Sequence, residues 1–105
     1  MNLNFVKTGD KYVAEFKVDA DFNIHIEQRG GIVEMFQSSV EGGQYDYVKA
    51  LNASKFDSVI DTDCSALIYP KWIKLETRVQ PTAAYVVSQG EVVEGVIVET
   101  LNTPV

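Results

Sequence analysis

Tyr12-Val13-Ala14-Glu15-Phe16-Lys17-Val18, Asp19-Ala20-Asp21 and Phe22-Asn23-Ile24-His25-Ile26-Glu27 form one unbroken stretch, and its reading decides the fold. Tyr12, Ala14, Phe16 and Val18 alternate with Lys11, Glu15 and Lys17, with Val13 the one apolar exception. A period of two marks a strand with one buried face, because successive side chains leave an extended backbone on opposite sides. Asp19-Ala20-Asp21 breaks the pattern, and Phe22, Ile24 and Ile26 resume it against Asn23, His25 and Glu27. Two alternating strands joined by a short polar turn predict a hairpin.

Upstream, Leu3–Val6 and the turn Lys7-Thr8-Gly9-Asp10 predict another hairpin. Downstream, Gly30-Gly31 marks a turn, and Ile32–Ser38 is a strand that alternates less cleanly. Val40–Gln44 is loop, and Tyr45–Leu51 is a strand or a short helical turn. Asn52–Ser65 is the least legible stretch, with Ser54–Ile60 able to hold a strand. Ala66–Val79 is the longest extended segment: Ile73, Leu75, Thr77 and Val79 share one face, and Lys74, Glu76 and Arg78 the other. Pro70 cannot donate to a sheet ladder, so it implies an edge, a bulge or a strand start. Gln80-Pro81 ends the run, Thr82–Ser88 is rich in β-formers, and Val92–Leu101 is strand-like around Gly95.

About seven to nine strands follow at sandwich-like spacing. No long helical periodicity competes with them. The expected fold is therefore all-β: a single antiparallel β-sandwich over residues 1–105, with a jelly roll among the arrangements open to it. At 105 residues the chain suits one domain.

The net charge of −6 disfavours nucleic acid and anionic membrane as partners. No segment approaches the ~20 apolar residues that span a bilayer as a helix, and the start of the chain lacks a basic, apolar leader. Synthesis and residence in a cytoplasm-like compartment are expected. Cys64 is the only cysteine, which precludes an intrachain disulfide.

Candidate chemistry is sparse. His25 is the only histidine, and its parity points it away from Phe22, Ile24 and Ile26. A thiol–imidazole pair with Cys64 has nothing local to orient or activate it. Zinc needs several His or Cys ligands. Asp19, Asp21 and Asn23 have the spacing that opens a calcium loop, but Ile24 and Gly30 stand where its glycine and distal glutamate belong. Asp57, Asp61 and Asp63 form a second acidic group that turn chemistry also explains. The expectation is no enzyme, no metal site and no cofactor.

The aromatic residues and the C-terminus suggest partners instead. Trp72 falls by parity on the polar face with Lys74, Glu76 and Arg78, unless a bulge at Pro70 returns it to the core. Tyr45 and Tyr47 share a face after Gly42-Gly43 and could stack, with Trp72, on a glycan or other ligand. Val92-Val93-Glu94-Gly95-Val96-Ile97-Val98 is apolar on both faces. Such a strand must be covered on both sides, so residues 92–105 form a candidate arm, with Val92, Val96 and Val98 contacting a neighbouring subunit.

Ile68-Tyr69-Pro70-Lys71-Trp72-Ile73-Lys74-Leu75-Glu76, followed by Thr82-Ala83-Ala84-Tyr85-Val86-Val87, resembles strands in small β-sandwich proteins of tailed-phage virions, the capsid-decoration and head-fibre types. The resemblance covers about a quarter of the chain and contains no diagnostic motif. It implies a non-catalytic assembly role in a virion, with protein subunits as partners and contacts through edge strands and terminal arms. It carries over no functional residue.

Overall fold

The structure is a computed structural model that describes residues 1–40, 43–52, 57–63 and 71–88, with side chains over 1–40, 43–51 and 71–87. Eight strands lie within these residues: β1 (Val6–Thr8), β2 (Lys11–Val18), β3 (Phe22–Arg29), β4 (Ile32–Ser38), β5 (Asp46–Asn52), β6 (Asp57–Asp63), β7 (Lys71–Thr77) and β8 (Ala83–Ser88). They build a five-stranded sheet, β1-β2-β7-β4-β5, and a three-stranded sheet, β6-β3-β8, with every pairing antiparallel. The all-β sandwich expected from the alternation is the fold observed.

The pairing has a nested order. Residues 1–3 run along β8, where Asn2 bridges Tyr85, Leu3 N donates to Ala84 O at 2.8 Å and Val86 N donates to Met1 O at 2.7 Å. The chain then crosses to the other sheet as β1. With this first segment counted as one arm, first pairs with eighth, β2 with β7, β3 with β6 and β4 with β5. A long hairpin rolled around itself gives this order, and it is the jelly roll.

Several connections differ from the sequence reading. Asp19-Ala20-Asp21 is not a hairpin turn, because β2 and β3 belong to different sheets. The three residues form a corner, and the two strands meet through the core: the Phe16 and Phe22 rings pack edge-on at 5.6 Å and 85°. Gly30-Gly31 likewise carries the chain between sheets, with φ of +68° and +90° that side chains resist. A local hairpin does form at β1–β2, shifted a little: Gly9 and Asp10 are its two central residues. Gly9 at φ +66° meets the need of a type II′ turn for glycine first. Tyr45–Leu51 resolves as the strand β5, bulged where Val48 has no partner between Met35↔Lys49 and Phe36↔Tyr47.

The core lies between the sheets. Phe16, Val18, Val33, Met35, Leu51, Ile73 and Leu75 from the larger sheet meet Phe22, Ile24, Ile26 and Val86 from the smaller. Ile73, Leu75 and Thr77 are buried on one face of β7, as its alternation requires. Gln28 and Thr77 are polar members of this interior, and the Gln28 amide nitrogen donates to Gly30 O (2.8 Å) and Thr77 Oγ1 (3.2 Å). That amide ties the end of β3 to β7 across the sandwich. The residues 64–70 and 89–105, with Cys64, Pro70, Val92, Val96 and Val98, lie outside those described.

Candidate functional site

Register assigns the outward residues of the five-stranded sheet to cross-strand rows. One row runs Val6, Val13, Glu76, Glu34, Ala50; the next runs Glu15, Lys74, Phe36, Tyr47; a third runs Lys17, Trp72, Ser38. The bulge at Val48 makes this possible, because it lets Tyr47 and Ala50 both face outward while Leu51 faces the core.

Trp72 therefore keeps the parity expected of it, without a flip along β7. It is nevertheless only 4% exposed, so it presents no ring to a ligand. A residue's face follows from alternation, whereas its exposure follows from what covers that face. Tyr45 is also committed. Its hydroxyl donates to a Glu15 carboxylate oxygen, and the Lys74 ammonium sits 4.7 Å from its ring centroid. The same ammonium lies 5.1 Å from the Phe36 centroid and 3.1 Å from Glu76 Oε2. Tyr47 meets Phe36 edge-on at 5.7 Å and remains 56% exposed. Of the three aromatic residues expected to form a stacking platform, Tyr47 is the one open to solvent.

Beside these aromatics is a depression of about 460 Å³, lined by Lys11, Gly31, Ile32, Glu34, Ala50, Glu76, Thr77 and Arg78. Ile32 is 52% exposed there. Burial acts to raise the pKa of Glu76, but hydrogen bonds from Lys11 and Lys74, reinforced by their charges, outweigh it and hold the carboxyl below its ordinary value. Lys11 Nζ stands 3.1 Å from Glu76 Oε1. Arg78 pairs with Asp10 at 2.6 Å, and this hydrogen bond and charge lower the Asp10 pKa. Ile32, Glu34 and Ala50 were not singled out by sequence reading. The signal was present in β4, where the outward set Ile32, Glu34 and Phe36 mixes apolar residues with a carboxylate. A register bringing Glu34 opposite Glu76 was needed to give it meaning.

The three-stranded sheet presents a different surface. His25 points outward from β3, as its parity predicts, and stacks on Tyr85 at 4.7 Å and 20°. Its Nε2 is 2.9 Å from Glu27 Oε2. Along β8 the outward positions Ala83, Tyr85 and Val87 are all exposed and all carbon-rich, with Val87 at 59%.

Among the described residues, no three His, Cys, Asp or Glu side chains gather as a metal ion would need, and no helix is long and apolar enough to cross a membrane. Comparison with protein-family models, with curated proteins and with solved structures yields no match.

Proposed function

We propose that the chain is a non-catalytic assembly protein, which self-associates through the outer face of its three-stranded sheet. The observation that carries this reading is the row Ala83, Tyr85, Val87. An outward sheet face normally carries polar residues where it meets water, yet every outward position of β8 is exposed and predominantly apolar. The sequence that follows β8 contains the run Val92–Val98, which is apolar at both parities and needs cover on two sides. A second copy of the chain offers both surfaces at once, a row needing cover and a segment able to give it.

Three of the four sheet edges are poorly receptive to a further strand, β6 being the fourth. β1 is three residues long, β5 carries a bulge and Lys49, and residues 1–3 already occupy the outer edge of β8. A virion array is the setting that fits best. The resemblance to tailed-phage decoration proteins supports it, together with a strand order shared by many viral capsid domains. That support is analogy of fold.

The test is sedimentation of the full chain at micromolar concentration beside a chain ending at Glu91. The full chain should form a defined oligomer that dissociates on trimming. A compact monomer in both cases would overturn the proposal.

A further inference from the structure

We infer that the depression on the outer face of the five-stranded sheet is a binding site for a neutral saccharide, with Glu34 accepting sugar hydroxyls and Ile32 and Ala50 lying under the ring. It is opposite the proposed assembly face and stands independently of it.

The charge pattern selects the ligand class. Lys11 and Arg78 line the same space as Glu34 and Glu76, so a simple cation meets two positive groups and a simple anion meets two negative ones. Three of the four charges are already matched: Lys11 with Glu76, Glu76 also with Lys74, and Arg78 with Asp10. Glu34 differs, making no hydrogen bond or ion pair among the described residues. It also stands directly opposite Glu76 in the β4–β7 ladder. Like charges at that position destabilise a sheet, and donors supplied from outside would relieve the cost. A polyol supplies them without bringing a net charge, and its oxygens can accept from Lys11 and Arg78.

Shape agrees with the chemistry. A volume of about 460 Å³ lies within the ~300–1,000 Å³ typical of small-molecule sites. Exposed Ile32 and Ala50 provide an apolar floor suited to the C–H face of a pyranose. Tyr47 is one row further along the sheet, about 7 Å away by strand rise. It does not line the depression itself, but its exposed ring, packed edge-on against Phe36, is within reach of a second sugar unit.

The test is a titration followed by amide chemical shifts. Cellotetraose, maltotetraose and xylotetraose are the neutral probes, spermidine the cation and a heparin tetrasaccharide the anion. At least one neutral probe should shift Ile32, Glu34, Ala50 and Tyr47 at millimolar concentration or below. Glu34→Gln should keep the spectrum's dispersion and weaken binding about tenfold, since charge-assisted hydrogen bonds are roughly twice as strong as neutral ones. Silence from every probe, a response confined to spermidine or heparin, shifts mapping to β8, or undiminished binding by Glu34→Gln would each overturn the assignment.

Discussion

Removing one hydroxyl, by Tyr45→Phe, should cost the fold about 1.5–3 kcal/mol. Glu15 is on the outward face of β2 yet only 7% exposed, and the Tyr45 hydroxyl donates to its carboxylate. A hydrogen bond to a charged group contributes about 1.5–3 kcal/mol, and a nearly buried acceptor that loses its donor cannot recover it fully from water. Phenylalanine keeps the ring on which the Lys74 ammonium rests, so the substitution isolates the hydroxyl. Urea denaturation measures the loss: with a slope of about 1–3 kcal/mol/M, the midpoint should fall by about 1 M while the slope stays constant. Glu15→Gln and the double variant complete a cycle, and the two changes should couple, because the residues touch. A Tyr45→Phe cost below about 0.5 kcal/mol, or strict additivity, would refute the claim that this bond holds the loop before β5 onto the sheet.

Three further outcomes follow from the geometry. Gly31→Ala should destabilise more than Gly9→Ala by thermal melting: both have positive φ, worth about 1–2 kcal/mol for an L-residue, but a Cβ at Gly31 would meet Val79 Cγ2 at 3.2 Å, whereas at Gly9 it meets open space. Phe22→Ala should cost about 3–5 kcal/mol in chemical denaturation, because it empties the contact that joins β2 and β3 across the sandwich. Glu76 has a folded pKa below its unfolded one, so its contribution to stability is complete above the unfolded value and fades as pH falls through the folded value. Stability measured across the acid range should therefore decline less steeply in Glu76→Gln than in the parent.

The strands were legible because their determinants are local. Phe22, Ile24 and Ile26 set against Asn23, His25 and Glu27 suffice to specify both the strand and its buried face. Which sheet a strand joins is not local. Asp19–Asp21 is equally compatible with a hairpin and a corner, since Phe16 and Phe22 face inward in either case, and the choice rests on the pairing of β2 with β7. Trp72 shows the same divide, its parity readable and its cover not. The depression is not legible in the sequence because Glu34 and Glu76 are far apart along the chain and meet only through the β4–β7 register. Tyr47 and Leu51 face opposite ways across an even spacing because of a bulge, and nothing in Tyr47-Val48-Lys49 announces one.

The most direct test of the assembly claim compares two single lysine substitutions on opposite faces by sedimentation of the full chain. Val87 and Tyr47 are similarly exposed, at 59% and 56%, so burial alone gives neither change a larger effect on folding. Val87→Lys should dissociate the oligomer and Tyr47→Lys should leave it intact. An oligomer that survives Val87→Lys, or one that falls apart with Tyr47→Lys, would contradict the placement of the interface on the three-stranded sheet.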